Sequence, residues 1–307
     1  MNKDLLSLFD LSEKDILKTL SLAAQIKKEL KQGKKTRQAL AGKVIALIFE
    51  KPSLRTRVTF ETGVVQLGGH PIYLDNQSIG LGKRESTADI ARNLERWVNG
   101  IVIRTFAQKT VEDMASAVSI PVINALSDTF HPCQALATGL TIQEHLKKFK
   151  GITVAFVGDG NNVAASLFIL CAKLGMHAVL ACPKGYELDK KVEQEVLRSA
   201  KQSGASLKTT NDPVRAVKDA DLIYTDVWAS MGQEEEIKQR KQDFAGFQVN
   251  SALVSKAKKG CLVSHCLPAH REEEITSEVL DSVSSVTLDE AENRLHVQKA
   301  VLSLLFQ

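Results

Sequence analysis

The sequence predicts an α/β fold of two doubly wound parallel-sheet domains, each with helices on both faces. Three observations carry that expectation. At 307 residues the chain exceeds the size at which a single hydrophobic core keeps growing, so two domains of similar size follow. Short β-rich apolar runs alternate with longer helical patterns along the whole length, as in strands joined by crossover helices. Midway, a basic helix end, Lys147-Lys148-Phe149-Lys150-Gly151, gives way to a fresh apolar run, which puts the domain boundary between residues 148 and 149.

In chain order, the segment Ser12–Leu30 sets Ile16, Leu17, Leu20, Ala23, Ala24, Ile26 and Leu30 at helical spacing. Strands are expected near Val44–Phe49, Pro71–Leu74, Ile101–Arg104 and Val122–Asn124 in the first half. In the second half they are expected near Thr153–Val157, Ala178–Ala181, Leu207–Thr209, Leu222–Thr225 and Cys261–Ser264. The last segment, Leu295–Phe306, is apolar enough to dock as a helix.

Composition narrows the function. A hydrophobic fraction of 44% supports folded cores, and a net charge of +4 from 40 basic and 36 acidic residues argues against a dedicated nucleic-acid surface. It suits an anionic small substrate. The start of the chain lacks the apolar core and cleavage site of a secretory signal, and no run approaches the ~20 apolar residues of a membrane span, so a cytoplasmic protein is expected. Five cysteines without a C-x-x-C pair fit free thiols in a reducing compartment. His265 and Cys266 are adjacent rather than spaced as zinc ligands, so no structural metal is expected.

Catalytic loops in parallel sheets lie at the carboxyl ends of strands, so the residues after each apolar run carry the chemistry. Ser53-Leu54-Arg55-Thr56-Arg57 follows the first strand and opens a helix. A helix start leaves about four N–H groups without intrahelical partners, and two hydroxyls and two guanidiniums add donors suited to phosphate oxygens. The plainer reading is a Ser N-cap followed by a solvated basic turn. A Walker loop is absent.

Arg104 ends the third strand, suited to a phosphate or carbonyl oxygen, and the fourth leads to His131-Pro132-Cys133-Gln134, with His131 a donor to an oxyanion and Gln134 a partner for an amide. Phe156-Val157-Gly158-Asp159-Gly160-Asn161-Asn162-Val163 invites a dinucleotide reading. That reading weakens because Val163 replaces the third glycine and the next strand ends in Cys182-Pro183 without an acid for a ribose; the Asn162 amide is then available for a polar ligand. Asp226-Val227-Trp228-Ala229-Ser230-Met231-Gly232 follows another strand, with Asp226 either an ammonium ligand or a helix cap. His265-Cys266-Leu267-Pro268 ends the last strand, as a Cys/His nucleophile or as an inert buried thiol.

These segments in this order, together with Asp289-Glu290-Ala291-Glu292-Asn293-Arg294, resemble the ornithine carbamoyltransferases of the aspartate/ornithine carbamoyltransferase family, over almost the entire chain. The resemblance implies a carbamoyl phosphate-binding domain at 1–148, completed by a returning C-terminal helix at 292–307, and an ornithine-binding domain at 149–291. It implies that Ser53, Leu54, Arg55 and Thr56 hold the phosphate with Arg104, and that Thr56, Arg104 and His131 polarise the carbonyl. Gln134 and the carbonyls of Cys266 and Leu267 would bond the carbamoyl amine, with Arg294 a further contact. Asn162, Asp226, Ser230 and Met231 would bind ornithine, with Cys266 beside the reacting δ-amine. The catalytic set is then Arg55, Arg104, His131 and Cys266.

No metal or organic cofactor is implied, and the expected assembly is a homotrimer or a multiple of trimers without nucleic-acid or membrane partners. Two positions depart from the family pattern: Leu54 stands where a Thr is usual, and Gly80 stands where a Gln often precedes Leu-Gly. Leu54 keeps its backbone N–H. Gly80 loses a side chain outright, with Gln77 and Lys83 as candidate substitutes. An aspartate, putrescine or acylated-ornithine acceptor, an NAD-dependent oxidoreductase and a non-catalytic interaction protein are the competing readings.

Overall fold

The computed structural model describes residues 2–34, 36–82, 84–230, 232 and 234–306, without the side chains of Gln77, Ser78 and Glu234. The chain divides into two compact units, Met1–Leu140 with Glu292–Gln307, and Thr141–Ala291. The first half runs α1 (Glu13–Lys31), β1 (Val44–Phe49), α2 (Leu54–Gln66), β2 (His70–Asp75), α3 (Asn76–Ile79), α4 (Thr87–Glu95), β3 (Gly100–Arg104), α5 (Gln108–Ala117), β4 (Val122–Leu126) and α6 (Pro132–Leu146). The second half continues with β5 (Thr153–Val157), α7 (Asn162–Leu174), β6 (His177–Ala181), α8 (Lys190–Ser203), β7 (Leu207–Thr210), α9 (Pro213–Val217) and β8 (Leu222–Thr225). It closes with α10 (Ile237–Asp243), α11 (Ser251–Val254), β9 (Leu262–His265), α12 (Ser277–Leu280) and α13 (Thr287–Leu305).

Both sheets are parallel throughout, in the orders β2-β1-β3-β4 and β7-β6-β5-β8-β9. Their central strands are buried on both faces, which is why Ile45-Ala46-Leu47-Ile48-Phe49 reads as an unbroken apolar run rather than an alternation. Each order reverses once, between β1 and β3 and between β5 and β8. Loops leaving such strands turn to opposite faces and leave a crevice at their carboxyl ends. The segments at those ends are Ser53–Arg57 and Arg104 in the first unit, and Gly158–Asn162 and Asp226 in the second. In addition, the β3–β4 register shifts between Ile103 and Arg104, a bulge of the kind that re-aims a side chain at a strand end.

Local signals set the helices. Ser12 caps α1 through a reciprocal bond with Asp15, and α1 buries Ile16, Leu20, Ala23 and Ile26. Leu17, read as part of that face, is 39% exposed, while Lys27 is buried on it. The last helix begins at Thr287 rather than Leu295, because its polar first turns are held by specific side chains instead of an apolar stripe. β9 begins at Leu262 rather than Cys261, whose N–H turns back to the Lys258 carbonyl at 3.0 Å. Among the described residues, no helix is long and apolar enough to cross a membrane.

Candidate active site

In the first unit the structure brings four dispersed segments together. Ser53 is the N-cap of α2, its hydroxyl accepting the Thr56 N–H at 3.3 Å, so the cap and the anion trap are one device. Leu54 projects its side chain into solvent, 75% exposed. Thr56 is buried, and its hydroxyl accepts a 2.8 Å bond from the Arg294 guanidinium. The same guanidinium donates to the Gln134 carbonyl oxygen at 2.7 Å. These two bonds join α2, α6 and α13 at one point.

His131 lies against this point, at the turn into α6, and is buried. Burial first, then the positive fields of Arg294, Arg104 and Arg55, hold its pKa well below the ordinary imidazole value. His131 is therefore neutral at physiological pH. A neutral imidazole beside three guanidiniums is a hydrogen-bond donor in a strongly positive pocket, the arrangement that stabilises charge developing on an oxygen. Cys133 is inert by contrast: burial pushes its thiol up to about 12.

In the second unit Asp226 is the hub. One carboxylate oxygen accepts the Cys266 thiol at 2.9 Å and the Val227 N–H at 2.8 Å; the other accepts the Asn161 amide at 2.8 Å. Asn161 also caps α7 through Val163 and Ala164, so it ties the loop after β5 to the loop after β8. Asp226 is not the exposed helix cap of the plainer reading; it is buried, with Cys266. A thiol that donates to a carboxylate keeps its proton, whereas the nucleophilic form is the thiolate, which disfavours the Cys/His protease reading.

The turn after β9 is fixed from behind. His265 Nδ1 accepts the Leu267 N–H at 2.8 Å, which leaves Nε2 to donate to Glu274 at 3.0 Å, and Glu274 also accepts the His270 N–H at 2.6 Å. Asp226, His265 and Cys266 bring ligand atoms within 4.8 Å of one another, yet both ring nitrogens of His265 are already engaged.

A buried guanidinium, Arg240 of α10, braces the segment after β8 at Trp228: it donates to the Trp228 carbonyl at 2.9 Å and to Asp159 at 2.7 Å, and meets Glu236 at 2.8 Å. Gly160 matters here, since a Cβ on it would stand 2.6 Å from the backbone of Glu187 and Leu188. The backbone of the next loop thus packs directly on the turn that a dinucleotide pyrophosphate would need, which weighs against that reading.

Every expected site residue but one is described. Ser53, Leu54, Arg55, Thr56, Arg104, His131, Gln134 and Arg294 belong to the first unit, and Asn162, Asp226, Ser230, Cys266 and Leu267 to the second. Met231 lies outside the described residues, as do Lys83 and the Gln77 side chain. Sequence reasoning passed over Lys27, Asn161, Arg240 and Glu274. For Lys27 a signal existed: a charge one turn past Ala23 and two past Leu20, on the apolar stripe of α1.

One unit gathers three guanidiniums round a neutral imidazole and the other sets a carboxylate against a thiol, each at the switch point of a parallel sheet; together they define an α/β protein built for group transfer from an anion. The chain belongs to the aspartate/ornithine carbamoyltransferase family. The family's carbamoyl-P binding domain matches residues 3–144 and its Asp/Orn binding domain residues 150–305. The ornithine carbamoyltransferase of Pyrococcus horikoshii is 54% identical over 303 residues, 99% of this chain and 95% of that protein. The solved ornithine carbamoyltransferase of Pyrococcus furiosus is 52% identical with a TM-score of 0.95, covering 98% of this chain and 96% of that one. That of Thermus thermophilus is 44% identical with a TM-score of 0.90, covering all of both chains, 100% each.

Proposed function

We propose that the protein transfers the carbamoyl group of carbamoyl phosphate to the δ-amine of L-ornithine, giving L-citrulline and phosphate. The observation that carries this reading is the cluster of Arg55, Arg104 and Arg294 round the neutral His131, with Arg294 bonded to Thr56 and Gln134. Ser53, the N–H groups of Leu54, Arg55 and Thr56, and the Arg55 and Arg104 guanidiniums bind the phosphate. Thr56, Arg104 and His131 donate to the carbamoyl oxygen. Gln134, Arg294 and the carbonyls of Cys266 and Leu267 complete the carbamoyl phosphate set, while Asn162, Asp226, Ser230 and Met231 hold ornithine with Cys266 beside its δ-amine.

The neutral amine attacks the carbamoyl carbon, a C–N bond forms, and the carbonyl electrons move onto an oxygen already faced by preorganised donors. Collapse of that tetrahedral species breaks the C–O bond to phosphate, and one amine proton is lost. The residues contribute orientation and charge stabilisation rather than a covalent step. Cys266 acts as a contact and a proton-relay element. For an aspartate acceptor the buried Asp226 would face a substrate carboxylate, which supports ornithine.

A place in arginine biosynthesis, a cytoplasmic setting and a homotrimer belong to the same proposal. Val58 and Val65, exposed along one face of α2, and Ile72, exposed on the edge strand β2, support an interface between copies of the first unit. The domain assignment of the proposal is carbamoyl phosphate to 1–148 with 292–307 and ornithine to 149–291. The deciding assay is citrulline formation by the purified protein from both substrates, with the rate rising between neutral and alkaline pH as the amine, of ordinary pKa about 10.4, loses its proton. No citrulline at any of these pH values refutes the proposal.

A further inference from the structure

Buried on α1, the Lys27 ammonium donates to the Asn293 side-chain oxygen at 2.7 Å and lies 3.2 Å from the Glu292 carboxylate. One turn later Lys31 lies 3.3 Å from the other oxygen of Glu292. A buried ammonium is a poor way to gain stability, because its desolvation offsets most of the attraction and an apolar side chain of similar size commonly does as well. Its position is the informative part. Asn293 is the immediate neighbour of Arg294, and Lys27 holds it from a helix that contributes nothing else to the site.

Arg294 itself rests on Thr56 and Gln134, both assigned to substrate in the proposed function, on which this inference depends. When those groups turn to the ligand, the backbone that carries the guanidinium contributes to its aim. Among the polar contacts that hold that stretch of α13 in the first unit are Lys27 with Asn293 and Glu292, and, further along, Lys299 donating to Gln66 at 2.7 Å. A displacement near 1 Å of a positioned group can cost about a hundredfold in rate or affinity.

We propose that Lys27 is a positioning residue that, through Asn293, fixes the backbone from which Arg294 reaches carbamoyl phosphate. It touches no substrate. Lys27→Met should weaken inorganic phosphate binding to the full-length protein, measured by calorimetry, about tenfold, and raise KM for carbamoyl phosphate by a similar factor. KM for ornithine should stay within about twofold, and Lys27→Arg should recover most of the loss. Asn293→Ala should reproduce the effect, and the double variant should lose no more than either single one.

A purely structural role predicts something else: fewer folded molecules, hence lower kcat with both KM values and phosphate affinity unchanged, and that result overturns the proposal. Additive losses in the double variant overturn the link through Asn293. Wild-type protein that binds phosphate but makes no citrulline would instead remove the acceptor assignment, leaving the phosphate arm to decide on Lys27. Wild-type protein that binds no phosphate overturns the proposed site and this inference together.

Discussion

His296 offers a measurement of stability whose size follows from its surroundings. It sits buried on α13, with Nε2 3.6 Å from Glu292 and within the field of the Lys27 and Lys299 ammoniums. Burial is the largest influence, Glu292 opposes it, the two lysines reinforce it, and the pKa comes down to about 4. In the unfolded chain the imidazole titrates near 6.5. Between these values the unfolded state binds a proton that the folded state refuses, so stability falls as pH drops from above 6.5 towards 4 and the loss is complete below that.

The full gap is worth about 3 kcal/mol, of which about 2 kcal/mol is lost by pH 5. His296→Gln removes the titration while keeping a polar side chain of similar reach. Urea unfolding at pH 7.5 and pH 5 should show the wild type losing about 2 kcal/mol more than the variant, a midpoint difference of roughly 1 M at ordinary denaturant slopes. His131 and the carboxylates titrate in both proteins and cancel. If the two proteins lose stability in parallel, His296 is not held neutral by its surroundings and the reasoning fails.

Two further substitutions probe the site. Arg240→Met leaves Asp159, whose pKa burial already raises, without its partner, and breaking such a pair costs about 3–5 kcal/mol; the unfolding temperature should drop and KM for ornithine rise as the Trp228 loop loosens, while an unchanged KM would remove Arg240 from any role in positioning that loop. Leu54→Thr adds a hydroxyl to a side chain that is 75% exposed, so affinity for carbamoyl phosphate should change by less than about threefold; a gain of tenfold would show that the hydroxyl, not the backbone N–H, does the binding at this position.

Strands were legible because burial on both faces leaves no polar alternation to confuse the pattern, and β1, β5 and β8 span the expected residues. Site residues were legible where they sit just past a strand. What escaped was polar and distant in sequence. Lys27 and Asn293 are 266 positions apart, and nothing local in either helix shows the bond. Likewise, adjacent asparagines are indistinguishable in the pattern, and only the fold shows that Asn161 both caps α7 and holds Asp226. The early start of α13 escaped for the same reason: Tyr224 and Ser264 fix Glu290 by 2.5 and 2.8 Å bonds, where apolar periodicity is silent.

The polar residues of Glu290-Ala291-Glu292-Asn293-Arg294 thus form a series along one helix, tied in turn to different parts of the fold. Glu290 belongs to Tyr224 and Ser264, Glu292 to Lys27 and Lys31, Asn293 to Lys27, and Arg294 to Thr56 and Gln134. Only the last reaches the anion site. Three arginines there repel one another, and the group the protein sets beside them is not a buried acid but His131, an imidazole kept neutral. An acid at that place would cancel the field that attracts a phosphate; a neutral N–H donor preserves the field and still supplies a bond to an oxygen whose charge appears only during reaction.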